Sequence, residues 1–282
     1  EVGPGVIMGG FRIDRHLGSG GMGEVYMATQ LSMDRQVALK VLPSSLTSDT
    51  EAVNRFLHEA KMAARLEHPN IVTVHDAGED EGYYYYAMSL VDGEDLDQIL
   101  ERDGCMEVDE ALRITLQIAT ALDYAWDHHT MMHRDIKPAN IMLDPSGSAK
   151  LLDLGLAKSM ADDSQLTMTG TILGTPYYMS PEQASASADM DCRADMYSLG
   201  ATLFHLVTGS RPYEGESVMA VLARLASEKI QPARQLNESV TRECEQLIQV
   251  MTHRSVDKRH ASYSELIADI KRVRKGQSPK VF

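Results

Sequence analysis

Hydrophobic and polar positions are spaced differently on either side of Val91-Asp92-Gly93. Between residues 11 and 42, short β-forming runs are broken by glycine, and Val37, Leu39 and Val41 alternate with Ala38, Lys40 and Leu42. This period-2 pattern predicts a strand that carries Ala38 and Lys40 on one face. Val53, Phe56, Leu57, Ala60, Ala63 and Ala64 then recur at helical spacing behind Ser48-Asp49-Thr50-Glu51, which supplies a cap and a first-turn acid. Residues 71–74 and 83–88 predict two more strands around a turn-rich segment, 78–82. The consecutive tyrosines from Tyr83 to Tyr86 follow from β-propensity without any special site.

Beyond Gly93 the pattern turns helical, with apolar periodicity over 108–128, 192–207, 217–227, 241–251 and 262–271. The expected fold is α+β and bilobal: a small antiparallel β-rich N-lobe with one key helix, a short connection, and a larger mainly α-helical C-lobe. A cleft between such lobes is where ligand sites commonly sit. No internal repeat or low-complexity tract interrupts the pattern.

The length of 282 residues allows two units or one bilobal domain, each with a sizeable core. An apolar fraction of 43% and a charged fraction of 24% are those of a soluble globular chain. No apolar run reaches the roughly 18 residues of a membrane span, so no membrane contact is expected within this segment. With 27 Lys and Arg against 41 Asp and Glu, the net charge of −14 repels phosphate backbones and anionic lipid. Nucleic-acid binding is therefore not expected, although a local basic site stays open. Cys105, Cys192 and Cys244 are scattered without CxxC spacing and read as ordinary thiols of a reducing compartment. The chain begins at Glu1 without an initiator Met, as expected of an excised domain. Its basic end (Lys271, Arg272, Arg274, Lys275, Lys280) reads equally as a juxtamembrane segment or as a solvated helix end.

Three local patterns carry chemistry. Leu17-Gly18-Ser19-Gly20-Gly21-Met22-Gly23-Glu24-Val25 is a G-x-G-x-x-G-x-V run whose glycines permit a tight turn and let backbone N–H groups approach phosphates. Because β-like residues follow it, neither a helix-opening dinucleotide loop nor a Gly-Lys-Ser/Thr loop fits, and a plain Gly-rich hairpin is the competing reading. Lys40 ends Val37-Ala38-Leu39-Lys40, and Glu59 lies at the edge of the inward helical stripe, where a carboxylate needs a cationic partner. A purely structural ion pair explains those two equally well. The third pattern, His133-Arg134-Asp135-Ile136-Lys137-Pro138-Ala139-Asn140 followed by Asp153-Leu154-Gly155, is far more specific. His128, His129 and His133 are too loosely spaced, without Cys or carboxylate, for a metal cluster.

Taken in order with Ser180-Pro181-Glu182, these motifs resemble the protein kinases over roughly residues 11–275, and most closely the bacterial, eukaryote-like Ser/Thr kinases. Lys137, two residues after Asp135, is the Ser/Thr-type choice. The resemblance implies Mg-ATP-dependent transfer of the γ-phosphate to Ser or Thr of protein substrates. It assigns Asp135 to the substrate hydroxyl's proton, Lys137 to the γ-phosphoryl, and Asn140 and Asp153 to Mg²⁺, with Mn²⁺ as an alternative ion. It gives Lys40 the α/β-phosphates, oriented by Glu59, beneath the loop 17–25. Val25, Ala38 and Met142 would clamp adenine, with Met88 at the rear and Ser89 to Val91 offering backbone hydrogen bonds.

The implied domain limits are an extension at 1–10, the catalytic domain at 11–275 (N-lobe 11–90, C-lobe 91–275) and a tail at 276–282. Leu154 stands where the family usually has Phe, and Ser180 where it usually has Ala; neither change removes a catalytic group. Thr167 and Thr169 lie in the polar segment before Glu182 and are expected to be phosphorylated by a second copy in a homodimer, with Arg134 and Lys158 as cationic partners. Asp195 and Arg259 are expected to brace the catalytic loop and to pair with Glu182. The expected location is cytoplasmic, with any membrane anchor outside this segment. A pseudokinase that binds ATP or docks partners is the alternative, supported only by Leu154. A small-molecule phosphotransferase is a weaker third reading, because such enzymes generally lack the long loop ending in Ser-Pro-Glu.

Overall fold

Short β-forming runs near the start of the chain become β1 (Ile7–Met8), β2 (Phe11–Gly20), β3 (Gly23–Gln30), β4 (Arg35–Val41), β5 (Val74–Asp80) and β6 (Tyr83–Ser89). The computed structural model describes residues 2–20, 23–153 and 176–281. The chain divides into two compact units, Glu1–Asp92 and Gly93–Phe282. In the first unit the six strands form one antiparallel sheet in the order β1-β2-β3-β4-β6-β5. Phe11, Ile13, Tyr26, Val37, Leu39, Val41, Tyr85 and Ala87 form a buried cluster on one face. The register sets Val25 and Tyr86 beside Lys40, and Met27 and Met88 beside Ala38, so these alternate positions share the other face.

α1 (Thr50–Ala63) begins where the sequence places its cap: the Asp49 side chain accepts from the N–H groups of Glu51 and Ala52. Val53, Phe56, Glu59, Ala60 and Ala63 form its buried stripe. The helix packs on β5 and β6, with the Phe56 ring 5.1 Å from that of Tyr86.

Two expectations for this unit need correction. Of residues 71–74 only Val74 belongs to a strand, and the supposed turn at 78–82 is mostly β5, which runs to Asp80. The turn itself is only Glu81-Gly82, with φ of 49° and 82°. Positive φ at both central residues is the two-residue hairpin geometry that matches strand twist, so Gly78 sits inside a strand.

The second unit opens with β7 (Glu94–Asp95), which pairs with β8 (Ile141–Leu143) and through it with β9 (Ala149–Leu151) in a small antiparallel sheet. Its helices are α2 (Leu96–Asp103), α3 (Val108–His129), α4 (Pro181–Ala184), α5 (Arg193–Thr208), α6 (Val218–Ser227), α7 (Ala233–Leu236), α8 (Arg242–Met251) and α9 (Tyr263–Val273). Ser217, Thr241 and Ser262 each accept a backbone N–H three residues on while keeping extended dihedrals. They are caps standing one residue outside the helix, which is why the periodic pattern places each start one position early. α5 is buried from Ala194 to Val207 and runs through the core that α3, α8 and α9 complete. The small sheet and α2 are absent from the sequence reading. Each strand is two or three residues long, and α2 buries only Leu96 and Leu100, too little for a periodic signal.

Candidate active site

In the first unit, Lys40 Nζ lies 3.1 Å from Glu59 Oε1. The same oxygen accepts the Tyr86 hydroxyl at 2.8 Å, and Lys40 Nζ lies 5.5 Å from the centre of the Tyr86 ring. The Lys40 and Glu59 side chains are only 5% and 4% exposed. Burial on this scale makes the ion pair expensive unless its remaining hydrogen-bonding capacity is satisfied, and Tyr86 contributes to that. The tyrosine run therefore is not merely β-forming. Alternation sends Tyr85 into the cluster on one face and Tyr86 to Glu59 on the other.

The glycine run straddles the β2–β3 hairpin: Gly18 pairs with Val25, Ser19 with Glu24 and Gly20 with Gly23. A Cβ on Gly23 would sit 2.8 Å from the Val41 carbonyl oxygen, so strand packing alone demands glycine there. A Cβ on Gly18 would meet nothing within 4 Å, so no internal packing explains that glycine, and the open space fits a phosphate cradle. Leu17, Ser19 and Glu24 are exposed, Val25 is half-buried, and Ala38 and Met88 are buried as cross-strand neighbours. Ser89 donates its N–H to the Thr73 carbonyl, and its hydroxyl meets His75 Nε2 at 3.0 Å. Leu90 and Val91 follow with no backbone hydrogen bond among the described residues.

In the second unit the His133–Asn140 segment folds on itself. Asp135 Oδ2 accepts from Lys137 Nζ at 2.8 Å and from Asn140 Nδ2 at 3.0 Å, and Asn140 Nδ2 also reaches the Asp135 carbonyl at 2.7 Å. Pro138–Asn140 forms a 3-10 turn closed by Asn140 N–H on the Lys137 carbonyl. Pro138 suits it, because its fixed φ and missing N–H cost nothing at the first turn. His133 Nδ1 accepts the Asp135 N–H, and Nε2 lies 2.8 Å from the Leu152 carbonyl, so the Nε2–H tautomer satisfies both. With both ring nitrogens engaged in the loop, His133 is unsuited to metal binding.

Arg134 and Asp153 hold φ of 65° and 35°, unusual for residues with side chains. Buried Asp195 holds the first in place by accepting the N–H groups of His133 at 2.6 Å and Arg134 at 2.8 Å. The Gln183 side chain donates to the Arg134 carbonyl at 2.9 Å. Complete burial pushes the Asp195 carboxyl above the ordinary carboxylate range, and neighbouring His133 and the two backbone donors oppose the shift. Arg259 makes paired hydrogen bonds to Glu182, at 2.5 and 2.9 Å, and donates to the Arg193 carbonyl at 2.9 Å. Asp195 and Arg259 thus hold the loop and α4 from below, as their positions in the sequence suggest.

Asn140 and Asp153 are brought near one another by the Leu152 N–H, which donates to the Asn140 carbonyl at 2.9 Å. Asn140 turns Nδ2 toward Asp135, and its Oδ1 makes no hydrogen bond among the described residues. An amide oxygen and a carboxylate are the hard donors that a small divalent cation takes, so the pair fits such an ion. Met142 alternates with Ile141 and Leu143, both of which pack on the core, and so faces away from it. Burial pushes the thiols of Cys192 and Cys244 up to about 12, as befits inert cysteines.

Gly21, Met22, Leu154, Lys158, Thr167 and Thr169 lie outside the described residues. Tyr86, Leu152 and Gln183 are the contributors that the sequence reading missed. Only Tyr86 carried a signal, its even-numbered place on the strand that pairs with Lys40.

A protein-family model described as "Protein kinase domain" matches residues 11–269. The chain is 37% identical over 265 residues to the serine/threonine-protein kinase PrkC of Bacillus subtilis, covering 94% of this chain and 40% of that protein. It is 42% identical over 232 residues to the serine/threonine-protein kinase pkn3 of Myxococcus xanthus, covering 79% and 42% respectively. The crystal structure of the Mycobacterium tuberculosis PknI kinase domain superposes with a TM-score of 0.77 at 31% identity, covering 98% of this chain and all of that one. The chain belongs to the protein kinase family, on its bacterial eukaryote-like serine/threonine branch. Its function is that of a serine/threonine-protein kinase domain acting on proteins with ATP and a divalent metal ion. It spans about two-fifths of the length of the curated relatives it matches. Among the described residues no helix is long and apolar enough to cross a membrane.

Proposed function

We propose that the longer protein to which this domain belongs is a cytoplasm-facing Ser/Thr kinase, and that the residues singled out above perform the transfer. Asp135 orients the substrate hydroxyl and accepts its proton as the hydroxyl oxygen bonds to the γ-phosphorus and the bond to the β-phosphate oxygen breaks, releasing ADP. Lys137, already 2.8 Å from Asp135, neutralises the charge spread over the transferring group. Lys40, oriented by Glu59 and Tyr86, holds the α/β-phosphates, and the backbone of the loop 18–23 covers them. Val25, Ala38, Met88 and Met142 contact adenine, and the unpaired backbone at Val91 offers it hydrogen bonds. Asn140 and Asp153 would hold Mg²⁺, or Mn²⁺ in its place, which would supply neutralisation of the phosphate charge. The protein substrate includes a second copy of the chain, phosphorylated at Thr167 and Thr169, with Arg134 and Lys158 as partners of the new phosphates.

The observation that carries this reading is the Asp135–Lys137–Asn140 arrangement, in which two side-chain donors meet at one Asp135 carboxylate oxygen and one of them, Asn140 Nδ2, also reaches the Asp135 carbonyl. The test is incubation of the domain with Mg-ATP beside Asp135→Asn, followed by intact mass and phosphosite mapping. Phosphate on Thr167 or Thr169 in the wild type alone is the expected result. Absence of phosphate there and on a generic protein substrate, with ATP bound, would overturn it.

A further inference from the structure

The peptide that links Arg134 to Asp135 decides where the Asp135 carboxylate points, and side chains hold both of its polar groups. Its N–H donates to His133 Nδ1 at 3.2 Å, and its carbonyl accepts from Gln183 Nε2 at 2.9 Å. The preceding peptide is pinned by Asp195, which accepts the Arg134 N–H at 2.8 Å. Arg134 itself sits at a φ of 65°, a conformation that a residue with a side chain keeps where its surroundings hold it. His133 and Asp195 take the N–H groups, and Gln183 takes the carbonyl.

Gln183 stands in the first turn of α4 and is only 7% exposed. Its Oε1 accepts the Ser180 N–H at 3.0 Å, and its own backbone N–H donates to the Ser180 hydroxyl at 3.2 Å, which makes a reciprocal cap. Ser198, one turn beyond Asp195 on α5, places its hydroxyl 3.4 Å from the same Oε1. A backbone N–H can only donate and a carbonyl can only accept, so these neighbours orient the amide with Nε2 toward Arg134. Glutamate serves such a cap as well as glutamine does, but of the two only glutamine also offers a donor to a carbonyl. Capping therefore accounts for one end of the side chain, and the other end faces the catalytic loop.

We infer that Gln183 is a positioning residue for phosphoryl transfer, acting through the Arg134 carbonyl to set the peptide that aims Asp135. The inference rests on the role given to Asp135 above and adds to it what holds that carboxylate in aim. Tyr178 and Met179, just before the Ser180 cap, border the same space as Asp135 and Lys137. One amide thus ties the segment beside the substrate hydroxyl to the loop that receives its proton. A misaimed reacting group lowers the rate far more than it lowers binding.

The test compares wild type, Gln183→Glu and Gln183→Met, each with and without Asp135→Asn, using radiolabelled Mg-ATP and a generic protein substrate. Gln183→Glu keeps the acceptor for Ser180 and changes only the donor, so its thermal melt should stay close to wild type. Its kcat should fall about tenfold or more, with KM for ATP changed by less than about twofold. Gln183→Met lacks both ends, and should lose at least as much kcat and melt lower. In the Asp135→Asn background, Gln183→Glu should lower the residual rate by less than about twofold, because an effect exerted through Asp135 disappears with it. General structural damage would lower the rate in both backgrounds. Hydrogen exchange across residues 133–136 should quicken in Gln183→Glu, while exchange along α5 should not. An unchanged kcat in Gln183→Glu, an equal loss in both backgrounds, or unchanged exchange at 133–136 would overturn the inference. If wild type itself transfers no phosphate, the role given to Asp135 has failed, and the exchange alone decides whether Gln183 holds the loop.

Discussion

Each unit of this kinase domain holds a short lysine–carboxylate pair among its candidate site residues, and the two pairs differ in burial. Lys40 and Glu59 are joined at 3.1 Å with side chains 5% and 4% exposed, and Tyr86 shares the same carboxylate oxygen. Lys137 and Asp135 are joined at 2.8 Å with side chains 20% and 22% exposed, on a loop held by backbone hydrogen bonds rather than by the pair itself. A buried pair costs desolvation on both ions and survives through its further hydrogen bonds, so it behaves as part of the core. A half-open pair keeps part of its hydration and can exchange one partner for a substrate. The difference teaches that similar distances conceal different surroundings: the first pair is enclosed in the core, and the second is open to solvent on one side.

The comparison can be broken most forcefully at Asp135. Replacing it with Asn should lower the rate of phosphoryl transfer by about a thousandfold, as loss of a general base does, while leaving the thermal melt close to wild type. A large loss of stability would mean that this pair is structural after all. On the other side, Glu59→Leu removes the carboxylate 3.1 Å from the buried Lys40 ammonium and should destabilise the protein by about 3–5 kcal/mol in urea unfolding. The double change Lys40→Met, Glu59→Leu should restore most of that stability without restoring activity.

Acid sharpens the same contrast, because buried histidines report on the core and not on the catalytic loop's open carboxylate. Burial lowers His205 from an ordinary 6.5 to about 4, and burial lowers His260 as well despite Asp269 beside it. Between pH about 6.5 and 4 the unfolded chain binds more protons at His205 than the folded chain does, so stability falls as pH falls through that window, and His260 adds in the same direction. His205 alone contributes up to about 3 kcal/mol. Urea midpoints measured at pH 7 and pH 4.5 should show the drop, and His205→Gln should reduce it. Tyr86→Phe removes one hydrogen bond from the buried Glu59 and should cost about 1–2 kcal/mol of stability, with weakened ATP binding. Smallest of all, Lys137→Met should change the free energy of unfolding in urea by less than about 1 kcal/mol, since a partly solvated pair contributes little to folding.

Much of the site was legible because much of it is local. Asp135, Lys137 and Asn140 lie within six consecutive residues, and the turn at Pro138 is enough to bring them together. Helix positions were legible from periodicity, with starts off by one because a cap shares the polarity of a first turn without its dihedrals. β5 was misread because Gly78 and its acidic neighbours resemble a turn, and an edge strand with little to bury leaves no hydrophobic pattern. α2 was missed for the same reason, although Asp97 and Glu101 on it line a cavity of about 880 Å³.

The sequence by itself determined the periods, the caps and the short motifs, because each depends on neighbours within a turn or a strand's length. Only the tertiary structure decided that Tyr86 meets Glu59 across 27 positions of chain, and that Asp195 fixes the backbone of His133 and Arg134 from 62 and 61 positions away. The cavity walled by α2, α5 and the loop beyond it belongs with these. Such meetings are set by strand register and helix packing, and neither leaves a trace in the spacing of residues along any single segment.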